Sequence, residues 1–146
     1  MKVTAEIDVT PAQYFKHLCN GVIKDIKKAT SQNVFVSQLI DGYEYVHSVN
    51  YKNKDISVKF TVGPLIPDKY FQVKYETGET ACQYYYDFSE IDGKYYVTYS
   101  EDTGYKQETV GNYLGNLKKK FTQAALKNKI LTNIESTTTY IKNHEM

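Results

Sequence analysis

Residues 110–142 read VGNYLGNLKKKFTQAALKNKILTNIESTTTYIK, a stretch without proline. Its apolar residues recur at three and four: Val110, Leu114, Leu117, Phe121 and Ala124, then in a slightly rotated register Leu126, Ile130, Leu131, Ile134 and Ile141. That is the period of an amphipathic helix, apolar on one stripe and lysine-rich on the other. One unbroken helix of this length would measure about 50 Å. A compact domain of this chain length is about 40 Å across. The helix therefore spans the domain and overhangs it, or breaks near Asn128. Leu114, Leu117, Phe121 and Ala124 are expected to be buried, and Lys118, Lys119 and Lys120 solvated. Beyond Glu135 come Ser136-Thr137-Thr138-Thr139, poor helix formers. The last two turns are expected to fray unless Tyr140 and Ile141 dock on a partner, or on a second copy in a weak homodimer.

The rest of the composition narrows the classes. The 146 residues suit a single domain, 1–146, with a core that needs no staples. All 18 basic residues are lysine, against 17 acids, and residues 110–146 hold six Lys and two Glu. Arginine is the preferred bidentate donor to phosphate and guanine, so its absence argues against nucleic acid as a partner. Cys19 and Cys82, with no CxxC, read as reduced thiols. His17, Cys19 and His144 have no metal-ligand spacing, and no metal or other cofactor is expected. The N-terminus opens on a strand pattern rather than a signal peptide, and no run approaches the roughly 18 apolar residues of a membrane span. A cytoplasmic protein without stable membrane insertion is the expectation. There are 15 Tyr and 6 Phe but no Trp; tyrosine, apolar in body and polar at its tip, suits cavity walls and interfaces.

Val3, Ala5, Ile7 and Val9 alternate with Thr4, Glu6 and Asp8, the pattern of a half-buried strand. Thr10-Pro11-Ala12-Gln13 is a helix start, with Thr as N-cap, Pro at N1 and Gln closing a capping box. Tyr14, Phe15, Leu18, Cys19, Val22, Ile23 and Ile26 form the helical stripe that follows, ending near Ala29. Asn20-Gly21 is a place for the helix to divide in two, since glycine costs about 1 kcal/mol in a helix interior. Residues 33–40 read equally as a short strand or an irregular connection. Five period-two segments then follow, at about 43–51, 55–62, 69–77, 81–89 and 94–102. Their shared face carries Tyr43, Tyr45, His47, Val49; Ile56, Val58, Phe60, Val62; Phe71, Val73, Tyr75; Cys82, Tyr84, Tyr86, Phe88; and Tyr95, Val97, Tyr99. Pro64 and Pro67 mark a longer loop, while Thr77-Gly78-Glu79 and Ile91-Asp92-Gly93 mark tight hairpins and so antiparallel neighbours.

This order of elements, with the opening strand followed by T-P-A-Q-Y-F, resembles the START / Bet v 1-like helix-grip superfamily, and within it an uncharacterised bacterial branch. The resemblance implies an α+β fold. A curved antiparallel sheet of six or seven strands would wrap a long C-terminal helix, with one or two short helices after the first strand. It also implies a cavity between sheet and helix that takes apolar or amphipathic small molecules. No catalytic motif of the superfamily matches residues here.

Strand phase aims His47, Tyr75, Tyr84, Tyr86 and Tyr99 at the terminal helix, and these are the candidate ligand-binding residues. A core built for stability alone would favour Leu, Ile and Val, which bring no hydroxyl needing a partner. The imidazole could orient a ligand or act as acid or base, or could be a core histidine bonded to a tyrosine. The rings could stack on a planar ligand, or simply pack the core. Glu101 shares the phase of Tyr99, yet a strand end in water is its expected place. No catalytic residue is assigned. The expected function is binding of a hydrophobic or aromatic small molecule, or a lipid-like ligand, between sheet and C-terminal helix; the alternatives are a non-enzymatic protein-interaction or regulatory domain and a cyclase- or hydrolase-type enzyme.

Overall fold

Thr10 begins the first helix as its side chains predict. Its hydroxyl accepts from the Gln13 N–H at 3.1 Å, and the Gln13 side-chain oxygen accepts from the Thr10 N–H at 2.8 Å. In the computed structural model, which describes residues 1–78, 80–105 and 123–144, the elements run β1 (Lys2–Ile7), α1 (Pro11–Thr30), a 3-10 turn (Val36–Gln38), β2 (Tyr43–Tyr51), β3 (Lys54–Ile66), β4 (Tyr70–Glu76), β5 (Thr80–Ile91), β6 (Lys94–Tyr105) and α2 (Gln123–His144). The six strands form one antiparallel sheet in the order β1-β6-β5-β4-β3-β2. The sheet is curved, and with its two helices it makes the α+β helix-grip fold. β1 and β2 are its two edges.

Where the sequence allows one or two short helices after β1, there is one continuous helix of 20 residues. Gly21 sits on its exposed side with nothing within 4 Å of the position a Cβ would take. The uninterrupted buried stripe Tyr14, Phe15, Cys19, Val22 and Ile26 outweighs a propensity cost of about 1 kcal/mol. The proline loop is also shorter than its prolines imply, because β3 continues to Ile66 through a register shift between Val62 and Leu65. The Leu65 N–H donates to the Asp41 carboxylate at 2.7 Å, replacing a ladder bond. Gly63 stands at φ +104, and a Cβ there would lie 2.8 Å from the Asp41 Cα, so only glycine fits. Residues 33–40 form an irregular connection that buries Val34 and Leu39 and leaves Phe35, Val36 and Ile40 in solvent.

The concave face is shared by both helices rather than covered by the terminal one alone. Phe15, Cys19, Val22 and Ile26 of α1 pack on Tyr45, Val62, Phe71 and Val73. Ile134 and Ile141 of α2 pack on Ile7, Val9, Val97 and the α1 residue Tyr14. Tyr14 joins the three layers: its ring contacts Tyr86 and Phe88, and its hydroxyl bonds the Thr137 side chain.

The tail is placed as helix packed on the domain. α2 is helical to His144 with Ile141 fully buried. Thr137 and Thr138 turn their hydroxyls back to the Asn133 and Glu135 carbonyls, each at 2.8 Å. Lys142 pairs with Asp8 just beyond β1. The tail's apolar contact is thus intramolecular. Ala124 is exposed, beside the Ile130–Ile134–Ile141 stripe and with only a methyl group to bury. The expectations for Leu114, Leu117, Phe121 and Lys118–Lys120 lie outside the described residues.

Candidate functional site

Alternation along β5 and β6 puts Tyr84, Tyr86, Tyr99 and Glu101 on one face, and antiparallel register sets Tyr86 opposite Tyr99 and Tyr84 opposite Glu101. The rings of Tyr86 and Tyr99 meet edge to face at 5.1 Å, while Tyr84 lies 6.3 Å from Tyr86 and 6.4 Å from Tyr99. Between this wall and α2 is a cavity of about 320 Å³. Its described sheet side is Tyr86, Tyr99 and Glu101, with Met1 beside them; its helix side is Leu126, Ile130 and Ile134 with the polar Lys129 and Asn133. A larger open groove of about 500 Å³ runs between β1 and α2, rimmed by Glu6, Asp8, Glu135 and Lys142. The groove is a wet, charged furrow crossed by the Asp8–Lys142 pair. The smaller cavity has aromatic and aliphatic walls with few charged groups.

The five sequence-predicted residues all point to the concave side, but they do not meet at one point. Tyr86 and Tyr99 line the cavity. Tyr84 stacks behind them, and Tyr75 lies 6.2 Å further along, itself 6.2 Å from Phe60, which stacks on Tyr45 at 4.9 Å. An aromatic band therefore crosses the sheet from β6 to β2. His47 is at its far end, on the edge strand, with β3, β4 and β5 between it and the cavity strand β6.

At that end the His47 Nδ1 lies 3.1 Å from the Asp25 Oδ1, and the Tyr45 hydroxyl donates to the Asp25 Oδ2 at 2.6 Å. The cluster ties α1 to β2 with both carboxylate oxygens engaged. Asp25 was missed because α1 surrounds it with Lys24, Lys27 and Lys28; its one signal is that it adjoins Ile26 of the buried stripe. Glu101 was expected at a strand end in water. β6 runs on to Tyr105, so Glu101 is mid-strand and half-buried on the cavity wall.

The phenols of this face hold their protons. Burial pushes Tyr84 up to about 12. Burial first, and then the Glu101 carboxylate, raises Tyr99; Tyr86 is held well above its ordinary value by burial and by neighbouring phenols, with Glu101 adding to it. Tyr75 is raised by burial and by its contact with Cys82. Protonated at neutral pH, these groups are able to donate hydrogen bonds and are poorly suited to act as bases. Cys19 is buried, its thiol pushed up to about 11, and is no nucleophile. Among the described residues no three His, Cys, Asp or Glu side chains gather as a metal site, and no helix is long and apolar enough to cross a membrane.

Solved structures share this architecture at low identity. Ara h 8.0201 superposes with a TM-score of 0.60 at 10% identity over 99% of this chain and 97% of its own. Protein MLL2253 from Mesorhizobium loti gives 0.60 at 12% over 100% of both chains. ChR145 from Cytophaga hutchinsonii gives 0.57 at 16% over 97% of this chain and 92% of its own. Identities this low carry the fold and nothing finer, and that fold is the α+β helix grip. No curated protein matches the chain in sequence. The model of the family described as a domain of unknown function, DUF3284, matches residues 1–127, and the chain belongs to that family.

Proposed function

We propose that this domain binds a hydrophobic or aromatic small molecule in the cavity between β5–β6 and α2. The observation that carries the reading is that cavity, about 320 Å³ between the Tyr86–Tyr99 pair and the Leu126–Ile130–Ile134 stripe. Its volume falls at the lower end of the roughly 300–1,000 Å³ usual for small-molecule sites. The aliphatic wall would take the ligand body, and the protonated phenols would orient its acceptors. An enzymatic reading is less well supported. The phenols are poor bases, and His47, the residue best suited to proton transfer, is on the opposite edge strand.

The test is native mass spectrometry of freshly purified protein for a co-purifying mass, joined to titration with the fluorescent probe N-phenyl-1-naphthylamine. Bound probe should brighten in the wild type. Ile130→Phe, which fills the cavity from the helix side, should weaken binding by about tenfold or more while the circular dichroism spectrum is kept. Equal binding by both proteins would place the probe elsewhere and count against the proposal.

A further inference from the structure

The two edges of the sheet are built differently. β1 is short, carries Lys2 and Glu6, and has α2 alongside with the Asp8–Lys142 pair just past its end. Short length, charge and a flanking element are the usual protections of an edge. β2 has nine residues, YEYVHSVNY, with no lysine, proline or bulge, and pairs with β3 without a break. Among the described residues, the only backbone bond to β2 from outside the sheet joins the Tyr43 N–H to the Ile40 carbonyl. Among the described residues, therefore, nothing else pairs with the row of N–H and C=O groups on its outer side, which is available to another strand.

Exposed apolar side chains occur on this strand, on both of its faces, and on the connection that precedes it. Val46 and Val49 lie on β2, with Val46 51% exposed. Phe35, Val36 and Ile40, at 70%, 48% and 66%, belong to the connection that leads into it. Isolated exposed hydrophobic residues are ordinary; here they accompany a strand whose outer backbone groups have no further partner among the described residues. The strand is also held in shape. Asp25 of α1 fixes Tyr45 and His47 from the concave side, so little ordering remains to be lost on pairing.

We propose that β2 pairs antiparallel with β2 of a second copy, making a two-fold dimer whose sheets continue into one another. Its charge pattern argues for that occupant. The only charged residue of the strand is Glu44, near its start, and Lys59 of β3 already lies 3.5 Å from it. With the two strands fully overlapped, Glu44 meets the far end of the partner strand, residues 48–51, which is uncharged, and the neutral His47 lies at the axis. No like charges oppose each other, the repulsion by which edges commonly reject copies of themselves. A two-fold axis sets the same uncharged stretch of strand against itself from both sides. The dimer leaves the cavity free and does not depend on its being occupied.

Sedimentation velocity over a concentration series, on the full chain, tests this. The wild type should move from monomer to dimer as concentration rises. Val46→Lys changes an exposed side chain and sets a lysine on the edge; it should leave the circular dichroism spectrum unchanged and weaken the dimer at least about tenfold. Ile91→Lys, equally exposed at the β5–β6 turn, should dimerise as the wild type does. A wild type that stays monomeric up to about 1 mM would overturn the proposal. So would a dimer that Val46→Lys leaves intact, since its interface would lie elsewhere.

Discussion

Tyr14 shows how much one side chain can be asked to do. Its ring fills the junction of α1, α2 and the sheet, and burial pushes its hydroxyl up to about 12 despite the bond to Thr137. In the unfolded chain a tyrosine gives up its proton near pH 10. Between those values the unfolded state binds fewer protons than the folded one, so stability is full below about pH 10 and falls as pH rises toward about 12. Two pH units correspond to roughly 2–3 kcal/mol for this one group. Denaturant midpoints measured from pH 8 to 12 should decline, and Tyr14→Phe should decline less steeply; parallel curves would mean that this phenol is not buried as described. Tyr14, as part of an i, i+3/i+4 stripe, was legible in the sequence, and so was the inward phase of Tyr75, Tyr84, Tyr86, Tyr99 and His47. Asp25 was not, and Glu101 only in part: its inward phase was legible, its half-burial was not, because β6 runs on to Tyr105. A charged residue signals burial only through its surroundings: the partners of Asp25 are on β2, and the cavity side of Glu101 is completed by β5 and α2.

Among the elements, α1 and β3 each contain a glycine that local rules treat as a weak point, and the structure separates the two cases. Gly21 is in regular helix with open space around it. Gly21→Ala should therefore stabilise the protein by about 0.5–1 kcal/mol, through helix propensity and a less flexible unfolded chain. Gly63 is in a left-handed conformation against the Asp41 backbone, and Gly63→Ala should destabilise by roughly 1–3 kcal/mol. Thermal melts of the two variants should shift in opposite directions; a shared direction would contradict the backbone geometry at one of them. Strand positions and phase were readable because alternation continues for seven or more residues in each of β2–β6. What ran against expectation was decided at longer range. α1 stays whole because its stripe faces β2–β4, and the threonine-rich end of α2 stays helical because β1 and Tyr14 bury Thr138 and Ile141. Propensity scales describe a helix in water, and these turns are not in water.

For the molecule as a whole, the order of elements was enough to reach the helix-grip fold, since one long amphipathic helix after five alternating strands has few ways to bury its stripe. It was not enough to divide the concave face between two helices, because that depends on where α1 crosses the sheet. Nor could it show that the aromatic band has two ends, with the Asp25–His47 cluster at β2 and the cavity at β6. Strand phase says which side a residue faces; strand order says which residues are neighbours, and order is not written in any one segment. The central claim is that the β6 end of this band is a ligand site. With no tryptophan in the chain, the tyrosines can report on it directly. Two-dimensional spectra of protein carrying ring-labelled tyrosine, assigned by Tyr→Phe variants and titrated with N-phenyl-1-naphthylamine, should show Tyr86 and Tyr99 shifting first and furthest. Tyr70, Tyr85 and Tyr96, on the opposite face of the sheet by strand alternation, should stay in place. Shifts confined to those outer-face rings, or none at all at saturating probe, would contradict the account.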